Sequence, residues 1–288
     1  MVSFIGSGRV ARSFGKYIAE HGVQLGGFYD VFPQKAQEAA EFCGSRVFRS
    51  LRELLAESRI IFISTNDDQI QQAAKELLAE KNTEEIAVGH FSGVHNSTVL
   101  SGILSDNHYC FSLHPLQSFS GTESDLISMA DTFITIEGQP KAIEIIQTIT
   151  ENIDNTVLTI EPEQKVMYHA AGVVASNYVT TVIAESLSYL EIIGIDREQA
   201  LKMLKPLVMG TVANAFSIGP EQSLTGPVAR GDYQTVNTHI RQLHQADEEK
   251  EQLYKELGLA TLKLAEEKLL TDNNTINQIK QLFREEYK

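Results

Sequence analysis

Val2-Ser3-Phe4-Ile5-Gly6-Ser7-Gly8-Arg9-Val10-Ala11 is a short apolar strand that runs straight into a glycine-rich turn and the start of a helix. Gly6 allows a tight turn, Gly8 lets a pyrophosphate approach the backbone, and the small Ala11 lets helix and strand pack closely. Phosphates then meet the free N–H groups and the positive dipole end of a helix N-terminus. Many folds contain a Gly-x-Gly-x-x-Ala run, so its context decides. Here a helix follows over 9–21, a second strand over 23–29, and Asp30 ends that strand. That acid stands near the ~20-residue offset expected of a group that binds ribose hydroxyls. The reading is a dinucleotide site formed by Gly6, Ser7, Gly8, Arg9, Val10 and Asp30.

The rest of the first half keeps the same rhythm. Helices are expected over 33–42 and 50–57, with a short strand near 46–48 between them. Ile60-Ile61-Phe62-Ile63-Ser64 reads as a central parallel strand. A helix over 67–80, strands at 86–88, 109–113 and 132–137, a helix at 140–152 and a strand at 156–160 follow. The fold class is therefore α/β: a doubly wound, mainly parallel sheet with helices on both faces. In such sheets ligands collect at the carboxyl ends of the strands. The polar loops there bring Thr65 and Asn66, then Ser92 and Gly93, to the nicotinamide half, with His114 on the next loop. Taken alone, His114 reads equally well as a residue fixing its own loop.

Near Glu161 the character changes. No strand pattern continues, and helices are expected at 162–193, 196–209, 212–218, 232–256, 258–270 and 272–286. Two domains are expected, 1–160 and 161–288, meeting in a cleft. The helix over 162–193 is apolar on nearly all sides from Ala170 to Leu187, which predicts burial of much of it. It nonetheless carries Lys165, His169, Ser176 and Asn177. At about 100° per residue, His169, Gly172 and Ser176 fall within about 40° of Lys165 around the axis. These four form one stripe, with Asn177 at its margin and Gly172 leaving space for a ligand. Singly, Lys165 reads as a solvated residue and His169 as a satisfied core histidine. As a set they read as an acid–base site. In the loop Leu224–Asp232, Asp232 is placed to cap the next helix, and Arg230 is a candidate anchor for an anionic substrate.

Composition narrows the function. The chain has 288 residues, 42% hydrophobic and 22% charged, with a formal charge of −14. That charge argues against nucleic acid and anionic membranes as partners. No apolar run is long enough for a membrane span, and the chain enters its first strand without a signal-peptide pattern. Cys43 and Cys110 form no metal or redox motif and read as reduced thiols in a cytoplasmic protein. The eight histidines show no ligand spacing, so no metal is expected.

Several blocks in order carry a family resemblance: Gly6–Ala11, His90-Phe91-Ser92-Gly93, His114–Phe119, Lys165-x-x-x-His169-Ala170-Ala171 with Ser176-Asn177-Tyr178, and Leu224–Asp232. Together they resemble the bacterial Rossmann-like DUF2520 family. It lies in the wider group of pyrroline-5-carboxylate reductase, F420-dependent NADP oxidoreductase, prephenate dehydrogenase and the β-hydroxyacid dehydrogenases. The resemblance implies an NAD(P)-binding domain, a helical domain like the C-terminal domain of 6-phosphogluconate dehydrogenase, and a homodimer formed through it. In β-hydroxyacid dehydrogenases an asparagine stands four residues after a catalytic lysine; this chain has His169 there, after Lys165. Relatives that use NADP commonly place an arginine after strand 2. This chain has Asp30, which favours free ribose hydroxyls, although Lys35 or Arg9 would compensate for a 2′-phosphate; NAD versus NADP stays open. The expected function is an NAD(P)-dependent oxidoreductase that moves hydride to or from a C=O or C=N carbon of a small polar, anionic substrate. The alternatives are a non-catalytic NAD(P)-binding sensor and a deazaflavin-dependent NADP reductase.

Overall fold

The computed structural model describes residues 1–80, 84–103 and 105–285. It forms two compact units, Met1–Asn177 and Tyr178–Lys288. The first holds a seven-stranded sheet in the order β2-β1-β3-β4-β5-β6-β7. The strands are β1 (Val2–Ile5), β2 (Leu25–Tyr29), β3 (Ile60–Ile63), β4 (Ile86–His90), β5 (His108–Pro115), β6 (Ile134–Gly138) and β7 (Val157–Thr159). Pairing is parallel from β2 through β5, antiparallel between β5 and β6, and parallel again between β6 and β7. The expected strand at 46–48 is a single bridge, Phe28 with Val47.

Helices cover both faces. Helices α1 (Arg9–Glu20), α2 (Pro33–Cys43) and α6 (Pro140–Thr150) pack on one, and α3 (Leu51–Glu57) and α4 (Ile70–Ala79) on the other. Under α1 the rings of Phe4, Phe28, Phe62 and Phe91 stack, with centroids 4.9 Å apart for Phe4–Phe28 and 4.5 Å for Phe62–Phe91. Phe14 meets Phe62 and Phe91 edge-on from α1. This aromatic layer fixes α1 against the sheet, and hence the glycine turn that precedes it. A helix absent from the sequence reading, α5 (Ser124–Met129), leads into β6 and reverses the chain direction. Buried Asp125 anchors that crossover by accepting hydrogen bonds from Ser13 Oγ, Ser120 N and Oγ, and Gly121 N.

The expected helix over 162–193 is divided. A 3-10 turn (Pro162–Gln164) precedes α7 (Lys165–Val173), a π-helical stretch (Val174–Tyr178) and α8 (Val179–Ile192). The expected burial of Ala170–Leu187 does not hold within one chain: Val174, Tyr178, Val179 and Val182 are exposed, and Leu187 is buried. The second unit continues with α9 (Arg197–Ile218), α10 (Pro220–Ser223), α11 (Tyr233–Ala246), α12 (Glu248–Lys268) and α13 (Asn273–Arg284). Helix α9 runs through Gly210, where a break was expected. The chain breaks at Asp247, which caps α12 by accepting from Glu249 N and Lys250 N. Gly258 is no breaker either; it lies inside α12 because a Cβ there would run into the Phe283 ring. Residue 286, the expected end of the last helix, lies outside the described residues.

Candidate functional site

The glycine turn suits an anionic ligand. Gly6 has φ +92°, and a Cβ on it would lie 2.6 Å from the Ser64 carbonyl oxygen, so only glycine fits. Gly8 caps α1 and offers no capping side chain. The first-turn N–H groups beside exposed Arg9 and half-buried Val10 therefore face outward, where a pyrophosphate would accept from them. Asp30 stands at the end of β2 as expected, but its carboxylate is already engaged. Oδ2 accepts from Ser7 N at 3.0 Å and Ser7 Oγ at 2.5 Å; Oδ1 accepts from Phe32 N at 2.9 Å. Asp30 thus holds the glycine turn in shape, a role that spacing alone does not reveal.

The β3 and β4 loops lie at the same end of the sheet. Thr65 is half-buried and Asn66 exposed. Ser92 and Gly93 are buried, and Ser92 Oγ accepts from His95 N at 3.0 Å. Gly93 is pressed against α7: a Cβ there would run into His169 Nδ1. Asn96 Nδ2 donates to the Pro162 carbonyl at 3.4 Å, just before α7 begins. The β4 loop therefore grips α7 at both ends of the turn that bears Lys165.

Lys165 is 1% exposed, and no described residue hydrogen-bonds its Nζ. Its charge acts on His90 and is acted on by Glu137, two members of a polar row built into the sheet. His90 on β4, Ser112 on β5 and Glu137 on β6 are register partners and share one face. Each is essentially inaccessible to solvent. His90 Nδ1 accepts from Ser92 N, so Nε2 carries the proton and donates to the Asn96 carbonyl. Burial pushes His90 down to about 3, so it is neutral. Burial also lowers Lys165, to about 8, against the opposing pull of the Glu137 and Asp67 carboxylates. A lysine poised there holds a proton at neutral pH and releases it readily, as a general acid or base requires.

The other stripe residues meet at a cavity of about 520 Å³ lined by His114, Gln117, Ser118, Tyr168, His169, Gly172, Ser176 and Asn177, among others. His114 Nδ1 lies 3.2 Å from the Tyr168 hydroxyl, and its ring meets His169 edge-on with centroids 6.0 Å apart. Burial and the nearby Lys165 and His169 lower His114 to about 4, so it too is neutral. The structure brings His114, His169, Gly172, Ser176 and Asn177 together. Lys165 is not among the residues that line that cavity. Ser176 and Asn177 lie in the π-helical stretch, where a wider turn replaces the 100° step. Tyr168, Glu137 and Ser97 went unread in the sequence, although a glutamate within Ile134–Gly138 was a visible sign of a buried charge. Arg230 is exposed on its loop in the second unit, beside Asp232. Asp232 caps α11 as expected, accepting from Thr235 N and Oγ1.

Two family models match separate stretches of the chain. Residues 1–85 match the oxidoreductase family with an NAD-binding Rossmann fold. Residues 132–261 match the domain of unknown function DUF2520. No curated protein matches the sequence. Among solved structures, the chain is similar to a provisionally assigned NADP oxidoreductase from Bacteroides fragilis (TM-score 0.76, 21% identity, 91% of this chain and 97% of that one). It is also similar to a protein from Thermotoga maritima (TM-score 0.71, 25% identity, 93% and 99% covered). A third is a pyrroline-5-carboxylate reductase from Coxiella burnetii (TM-score 0.59, 16% identity, 98% and 97% covered). These matches give the cofactor class as NAD(P): residues 1–85 are similar to an NAD-binding Rossmann domain and residues 132–261 to DUF2520, the family that the motif blocks resemble.

Proposed function

We propose that the protein is an NAD(P)-dependent oxidoreductase acting on a C=O or C=N carbon of a small polar substrate, with Lys165 serving the proton at the reacting heteroatom. The nicotinamide, when bound, supplies or accepts the hydride. The observation that carries the reading is the buried Lys165 ammonium, gripped by the β4 loop at the carboxyl end of the strands and hydrogen-bonded to no described residue. A buried ammonium that donates no hydrogen bond to a described residue is costly, and a site explains its retention. Gly6, Ser7, Gly8, Arg9 and Val10 would hold the pyrophosphate, with Asp30 keeping that turn in shape. Thr65, Asn66, Ser92 and Gly93 would border the nicotinamide half. His114, His169, Gly172, Ser176 and Asn177 would receive the substrate. No Lys or Arg lines their cavity, so an anionic substrate would need Arg230 or another cation to reach it.

The helical unit would serve assembly. Val182 on α8 and Leu207, Met209, Phe216 and Ile218 on α9 are exposed apolar residues, Phe216 at 90%. Large exposed apolar faces mark interfaces, and a two-fold homodimer would cover this one. A cytoplasmic setting fits the two buried, unpaired cysteines. Among the described residues no helix is long and apolar enough to cross a membrane.

The test is calorimetry with NADH and NADPH, then turnover of a panel of small carbonyl compounds and imines followed by reduced-nicotinamide absorbance. Lys165→Met should lower turnover about a hundredfold or more, while cofactor affinity stays near wild type. Failure to bind either cofactor at millimolar concentration refutes the cofactor reading. Cofactor binding with unchanged turnover in Lys165→Met refutes the catalytic role of Lys165. Binding without turnover of any compound would favour a sensor.

A further inference from the structure

Glu137 sits in a strand that runs against its neighbour, is 1% exposed, and is held at both oxygens: Ser97 N donates to Oε1 and Ser97 Oγ to Oε2, each at 2.7 Å. Water screens a carboxylate so enclosed very little, so its field reaches a nearby cation at nearly full strength. The same face presents Ser112, whose Oγ is buried with no hydrogen-bond partner, and then His90. Three polar residues thus stand side by side in an otherwise apolar layer. Ile61, Val88 and Cys110 lie one alternation further back on that face. The Asn96–Pro162 bond and the Gly93–His169 contact lay α7 along the loop that carries Ser97. Lys165, 1% exposed, lies between those two anchors along the chain, close enough for its charge to act on His90 and for Glu137 to act on it.

We propose that Glu137, clamped by Ser97, is the buried counter-ion of Lys165: a positioning residue that keeps the ammonium charged and aimed at the strand ends. Four titratable groups face Lys165 from the packed elements. His90 on β4 and His114 on β5 are neutral, and Asp67, which follows β3, is exposed to solvent. Glu137 is the enclosed carboxylate among them, so its field is the least screened. Without it, burial would drive the proton off Lys165 near neutral pH, leaving an amine unable to act as the acid. Ser97 keeps the carboxylate from turning away, and its backbone and side-chain donors fit a glutamine in the same pose. The proposal rests on the catalytic reading of Lys165, but its test does not.

The experiment is an NMR titration of the cofactor-free protein carrying 13C-labelled lysine ε-carbons, with the Lys165 resonance identified by its loss in Lys165→Met. In Glu137→Gln the Lys165 midpoint should fall by about one pH unit or more, a tenfold or greater loss of the charged form at a given pH. In Asp67→Asn it should move by well under half of that, because Asp67 is exposed. An unmoved midpoint in folded Glu137→Gln overturns the proposal, as does a larger shift in Asp67→Asn. If Glu137→Gln does not fold, Asp67→Asn still decides: an unmoved midpoint leaves Glu137 as the facing carboxylate among the described residues, and a full-unit fall refutes it. The titration needs no substrate or cofactor, so it stands or falls separately from the hydride-transfer reading.

Discussion

Replacing Lys165 by methionine should make the protein more stable, not less. Lys165 titrates near 8 in the fold against an ordinary value of 10.5, so its charged form is disfavoured on folding. Each pH unit is about 1.4 kcal/mol, which puts the penalty at about 3 kcal/mol at neutral pH. Methionine matches the stem in length and carries no charge, so it should recover most of that. At about 2–4 °C per kcal/mol for a chain of this size, melting should rise by roughly 5–10 °C. The pH dependence carries the sign. Between about 8 and 10.5 the unfolded lysine binds more protons than the folded one, so wild-type stability gains with rising pH in that window. The advantage of Lys165→Met should therefore be full below pH 8 and shrink toward zero as pH approaches 10.5. The assay is thermal or urea unfolding of both proteins across that range, read as a difference so that shared titrations cancel. A variant less stable than wild type at pH 7, or a difference that ignores pH, would refute the claim that a strained buried charge is kept for function.

Other outcomes follow from single residues. Gly6→Ala forces a side chain into φ +92° and against Ser64, so calorimetry should find NADH binding lost; wild-type affinity would contradict the role of the turn. Asp30→Asn breaks a brace made by Ser7 and Phe32, so NADH and NADPH affinities should fall together. A selective gain for NADPH would show that Asp30 reads the ribose instead. Hydrogen bonds from Ser120, Ser13 and Gly121 outweigh burial and hold Asp125 at about 2, so its stabilisation is complete above its ordinary 3.8 and lost as pH falls toward 2. Asp125→Asn should then cost about 2 kcal/mol at pH 7 and progressively less in acid, measured by urea unfolding. Light scattering at tens of micromolar should show a dimer that Phe216→Glu converts to monomer, whereas a wild-type monomer would remove the reason for the apolar face of α9.

The first half of the fold was readable because its signals are local. Alternating strands and helices, a glycine turn at the end of β1 and an all-apolar β3 each follow from short runs of residues. The reversal at β6 was not readable, because strand direction depends on the crossover that α5 makes, and α5 is too short to show a periodic pattern. Gly258 and Gly210 looked like breaks because a glycine in a helix is normally unfavourable; only the tertiary contact with Phe283 explains the first. The exposed apolar faces of α8 and α9 misled in another way, since composition calls for burial without saying whether the covering surface belongs to the same chain.

The site shows the same limit more sharply. Helical phase places Lys165 and His169 on one side of α7. Phase fixes the direction of a side chain but not the depth to which it reaches. At His169 the Gly93 backbone stops the ring at the surface of the loop, beside the cavity. Four residues earlier the long lysine is enclosed, within electrostatic reach of His90 and Glu137. That row spans three strands far apart in sequence, and its members come together only through sheet register. A single-sequence reading sees a histidine, a serine and a glutamate, each at one alternate position of an apolar strand. Register turns them into one polar surface. The depth of Lys165, and with it the acid–base character proposed for the protein, is thus a property of the sheet as much as of the helix that bears the residue.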